Sequence, residues 1–122
     1  MKAPKITWLG KPQKHDYPAA QSYLTLIRKP RTAKRLVEKL AGAEIVEFAA
    51  KDIFRASQLP LLGRSDSHVA RYRALIVRKQ PISPLLLCRD PGHGKLIIAD
   101  GYHRLCAVYT FDEDAMIPCR IV

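Results

Sequence analysis

Asp100-Gly101-Tyr102-His103-Arg104 puts an acid, a glycine, two aromatic rings and a guanidinium into five consecutive positions. The apolar run before it reads as a strand, and Leu105 to Val108 continues as a helix, so the five residues form a strand-to-helix corner. The first turn of a helix exposes backbone N–H groups with no acceptor inside the helix, and the helix dipole adds positive charge there. Together they attract anions. Gly101 lets a ligand approach without a Cβ in the way. Arg104 offers a planar fork of donors for phosphate oxygens, and His103 a donor whose charge changes near neutral pH. Polyphosphate is the ligand class these groups fit best.

Asp100 pulls the other way. As an N-cap it accepts a hydrogen bond from the N–H of Tyr102 or His103, which takes donors a phosphate needs and sets a negative charge beside it. Two arrangements stay open. Either Arg104 and a metal ion offset that charge, or Asp100 is a cap and the corner is empty.

Few other residues are candidates for chemistry. Glu44, Glu47 and Asp52 are the other carboxylates that could serve as a general base, with Asp52 in a segment that could reach the ligand. Arg55 and Arg71 are further candidate phosphate ligands. His15, His68 and His93 lack metal-ligand spacing, so no permanent metal site is expected. Cys88, Cys106 and Cys119 form no CxxC pair and are odd in number, which argues against a disulfide framework or closed zinc site. They read as small buried residues in a reducing compartment.

The elements that must position the corner follow from pattern and punctuation. Residues 2–15 read as an arm or loop. Asp16 reads as an N-cap with Pro18 in the first turn, opening a helix to about Arg28. Thr32 caps a second helix ended by Gly42, with Leu36, Val37 and Leu40 on one stripe. Residues 44–48 alternate as a strand, residues 51–63 form an irregular or short-helical crossover, and Ser65-Asp66 caps a third helix through about Gln80. A buried strand over 81–89, a DPGHG turn, a strand over 95–100, the corner helix and a closing strand over 117–122 complete the chain. The expected fold is α/β (or α+β), compact, with a small mixed sheet, helices packed on it and an N-terminal helical extension.

The net charge of +10 is uneven, since residues 1–39 hold ten Lys and Arg against Asp16 and Glu38 and so carry +8 of it. Such an end suits nucleic acid or an acidic protein, or serves solubility alone. Stacking aromatics do not interleave with these charges. At 122 residues with 48% hydrophobic residues, one domain with a real core is expected. With no membrane-length apolar run and no signal-peptide pattern, a cytoplasmic protein is expected, without a membrane partner.

From about Lys51 to Val122 the chain resembles the domain shared by ParB-type partition proteins and sulfiredoxins. The resemblance is carried by Pro81, Ile82 and Leu85; by Asp100-Gly101-Tyr102-His103-Arg104; by Ala107; and by Ile117, Pro118 and Val122. Free serine kinases of that superfamily have a similar D-G-x-H-R segment. The resemblance implies a ParB/sulfiredoxin-like domain over 51–122, with 1–50 as a basic arm and helical extension, the whole forming one unit. It also implies nucleotide phosphates (CTP or ATP, with Mg²⁺) at Asp100, Gly101, Tyr102, His103 and Arg104, with nucleotide hydrolysis or phosphoryl transfer as the activity. Tyr102 stands where sulfiredoxins carry their catalytic cysteine, so thiol attack from that position is not expected. The alternative is a non-enzymatic module in which residues 1–39 contact DNA or protein and the corner is only a helix cap.

Overall fold

The strand Leu85–Asp90 explains the architecture, because its side chains alternate between two separate cores. Leu85 and Leu87 join one apolar cluster, and Leu86 and Cys88 the other. The computed structural model describes residues 3–122, so Lys2 of the basic end lies outside the described residues.

In chain order the elements are α1 (Asp16–Leu24), α2 (Pro30–Gly42), β1 (Val46–Ala49), α3 (Ala50–Ser57), α4 (Ser67–Val77), β2 (Leu85–Asp90), β3 (Lys95–Asp100), α5 (Tyr102–Phe111) and β4 (Met116–Ile121). The sheet runs β1-β4-β2-β3, parallel between β2 and β4 and antiparallel at the other two junctions. A register shift between Leu86 and Leu87 bends the end of β3, just before the Asp100-Gly101 corner; a bulge there re-aims the chain as it leaves the sheet.

Helices cover both faces. Ile53 of α3, Val69 and Ile76 of α4, and Leu105 to Val108 of α5 pack on Leu85, Leu87, Ile98, Ile117 and Cys119. On the other face Ala20 and Leu24 of α1, with Ala33, Val37 and Leu40 of α2, pack on Leu86, Cys88, Ile97 and Ala99. The fold is therefore an α/β/α sandwich. The N-terminal helices form its third layer instead of standing as an extension, and β1 is an edge strand of the common sheet. The expected arm is also pinned: Trp8 bridges to Ile82, Leu9 N–H donates to Ile82 O at 2.9 Å, and Ile82 N–H donates to Thr7 O at 3.0 Å.

Some boundaries differ for local reasons. α1 ends at Leu24, before Arg28, and its carboxylate at Asp16 is buried inside the first turn without capping it. Pro30 opens α2 in place of the expected Thr32 cap, its missing N–H falling where no helix bond is needed. The expected crossover contains a true helix, α3, stopped by Gln58 at φ 58°. Asp66 caps α4 as expected, accepting from the N–H groups of His68 and Val69 at 3.0 Å each. Among the described residues, no helix is long and apolar enough to cross a membrane.

Candidate functional site

The bend after β3 is made by Gly101, at φ +110°. A Cβ there would lie 2.8 Å from Leu85 Cγ and 2.9 Å from Arg104 Nη2. Gly101 is thus required by the positive φ and by close packing of the protein's own side chains. The space expected for a ligand beside its Cα is filled.

Helix α5 begins at Tyr102 with no side-chain cap, and the first helical bond runs from Leu105 N–H to Gly101 O at 2.9 Å. The N–H groups of Tyr102, His103 and Arg104 have no acceptor among the described residues. Asp100 does not take them. Its Oδ2 accepts instead from Arg104 Nη2 at 2.8 Å. Asp100 is therefore not a cap, and Arg104 alone among the described residues offsets its charge, where the sequence left open a cap or an offset by Arg104 together with a metal ion. The same contact corrects the expectation for Arg104 itself. Arg104 is 5% exposed, and its guanidinium donates also to Pro84 O at 3.2 Å and lies 4.0 Å from Asp16 Oδ2. It is a buried counter-ion, where the sequence suggested a free phosphate fork. Burial pushes the Asp100 carboxyl above its ordinary range against the opposing charge of Arg104. For Arg104 burial works against the charge, but Asp100 and Asp16 outweigh it, and its pKa is raised.

His103 and Tyr102 occupy the outer side of the same turn. The rings of His103 and His68 are 4.7 Å apart, those of Tyr102 and His103 5.6 Å, and Tyr102 Oη donates to Pro60 O. The first turns of α4 and α5 therefore lie side by side. That of α4 is closed by Asp66, and that of α5 is open. The backbone donates to Asp66, most strongly from Val69, and this holds its carboxyl below its ordinary value despite burial.

Several residues at this centre carry no signal readable from the sequence. Asp16, expected as a cap, is 2% exposed; its Oδ2 accepts from Gln13 N–H at 3.0 Å and from Ser83 Oγ, and its Oδ1 lies 3.4 Å from His15 Nε2. Ser83 is buried as well. Arg71, one of the two further candidate phosphate ligands, lines a cavity together with Arg104. Arg55 does not join them and pairs with Asp52 at 3.6 Å on the exposed face of α3. Asp52 lines an open groove of about 440 Å³ with Phe48, Ile53, Leu96 and Ile121, away from the start of α5. Glu44 and Glu47 are exposed around β1. The carboxylates that do reach the corner are Asp100, Asp16 and, beside His103 and Tyr102, Asp66 of the α4 cap.

All three cysteines are buried free thiols. Burial raises Cys106 and pushes Cys88 and Cys119 up to about 11, the opposite of what a nucleophilic thiol requires. Among the described residues no cluster of three or more His, Cys, Asp or Glu is placed to hold a metal ion.

Comparison of the chain with protein-family models, with curated proteins and with solved structures finds no significant match.

Proposed function

We propose that this protein binds the phosphate groups of a nucleoside polyphosphate, CTP or ATP with Mg²⁺, at the open first turn of α5. The reading rests on one observation: Arg104 engages Asp100, and the N–H groups of Tyr102, His103 and Arg104 are left without an acceptor. These donors and the helix dipole supply the cradle, and His103 adds a side-chain donor at its rim. Arg104 acts here through Asp100, as a positioning residue. The resemblance of this segment to ParB-type proteins and sulfiredoxins points to the same ligand class. If the terminal phosphoryl group is hydrolysed or transferred, the same amides would stabilise charge developing on its oxygens.

Calorimetric titration with CTP, ATP, GTP and inorganic triphosphate in the presence of Mg²⁺ tests this reading. At least one nucleotide should bind the wild type with a millimolar or tighter constant, and His103→Ala should weaken it by roughly tenfold, the value of one charge-assisted hydrogen bond. No heat from any of the four ligands overturns the proposal.

A second reading, a non-enzymatic module for nucleic acid or an acidic protein, draws on α2. Arg31, Lys34, Arg35 and Lys39 are exposed there opposite the buried Ala33, Val37 and Leu40, and none has an ion-pair partner among the described residues. Retention on duplex DNA that falls steeply with salt supports its nucleic-acid form. No retention at low salt removes that form.

A further inference from the structure

The N-terminal segment, α4 and the strand entry at Pro81–Ser83 enclose a cavity of about 330 Å³. Its polar wall is Gln13, His15, Arg71, Tyr72, Ser83 and Arg104. It is distinct from the α5 cradle: neither His68 nor His103 lines it, and Tyr72 stands one turn further along α4 than His68. We infer that this cavity is a binding site for a small organic oxyanion, a carboxylate or a phosphate monoester, held by Arg71 above the buried Arg104.

Donor and acceptor accounting carries the inference. The two carboxylates nearest the cavity are already served, Asp16 by Gln13 N–H, Ser83 Oγ and His15, and Asp100 by Arg104. The donors are not. Arg104 Nε is buried and has no partner among the described residues, although buried polar groups are otherwise paired and an exception requires a reason. Arg71 makes neither an ion pair nor a hydrogen bond through its side chain among the described residues. Both guanidinium groups flank the same ring, with Cζ of Arg71 5.4 Å and Cζ of Arg104 5.9 Å from the centroid of Tyr72. The unmet capacity is therefore for acceptors, and its cationic part is Arg71, since the charge of Arg104 is met by Asp100 and Asp16. An oxyanion supplies both needs, and planar guanidinium groups match its oxygens. Leu75, Pro81 and Ile82 form the apolar part of the lining, which suits a short hydrocarbon portion. The volume is that of a small-metabolite site.

The test is a titration of the whole isotope-labelled protein with butyrate, succinate, methyl phosphate and, as control, chloride at constant ionic strength, followed by amide and arginine side-chain NMR shifts. At least one carboxylate or phosphate should give saturable shifts centred on Gln13, Arg71 and Tyr72. Arg71→Gln, at an exposed position, should weaken that probe by about tenfold or more, and His103→Ala should leave it within about twofold. The relative affinities of butyrate, succinate and methyl phosphate separate the carboxylate from the phosphate source. The inference is overturned by shifts that chloride reproduces, by no saturation at tens of millimolar, by an Arg71→Gln variant that binds as wild type, or by shifts confined to Tyr102–Arg104. The last result would leave the nucleotide reading standing while removing this one.

Discussion

Arg104 Nη2 donates to Asp100 Oδ2 across one turn of chain at 2.8 Å, and the turn of α5 that Asp100 could have capped stays open. One contact thus sets both the electrostatics of the corner and the availability of its amides. Because the guanidinium is buried and also faces Asp16, the contact belongs as much to the core as to the site.

Removing that guanidinium should be costly. Arg104→Leu leaves Asp100 and Asp16 without their shared counter-ion, and breaking a buried pair from one side costs about 3–5 kcal/mol. Urea unfolding measures the loss. A change below about 1 kcal/mol, in the range of a surface ion pair, would show that the pair is not buried in solution.

Gly101→Ala tests the corner itself. The φ of +110° and the 2.8 Å approach to Leu85 Cγ both oppose a methyl group, so a loss of about 1–3 kcal/mol is expected. Thermal denaturation reads it. An unchanged midpoint would mean that the corner relaxes freely.

The cap of α4 has a signed pH signature. Asp66 is held below its ordinary 3.8, first by the N–H of Val69, with burial opposing. A depressed folded value means that its contribution is complete above the unfolded value and is lost as pH falls through the folded one. Asp66→Ala should therefore lower the melting temperature at pH 7, and the gap to wild type should close below the carboxylate range. A gap that persists at pH 2 would assign the effect to packing.

The thiols should be silent in the native state. With Cys88 and Cys119 pushed up to about 11 and Cys106 fully buried, a thiol reagent at pH 8 should label none of the three until denaturant is added. Rapid native labelling of Cys106 would contradict its burial.

What the sequence determined by itself is local. Asp66 before an amphipathic run, Gly101 between a strand and a helix, and the mostly apolar strands β2 and β3 each state their conformation within a few residues. The corner was legible as a place with free amides for the same reason. Tertiary structure decided which partner Asp100 took, since an N-cap amide and the Arg104 guanidinium are both within local reach, and the fold adds Pro84 O and Asp16 to hold the guanidinium beside Asp100. It also decided that α1 and α2 cover the second face of the sheet, and that Asp16 meets Ser83 across 67 positions of sequence. No spacing rule encodes a contact between segments so far apart. It forms because the polar groups carried into a shared interior must find their acceptors there.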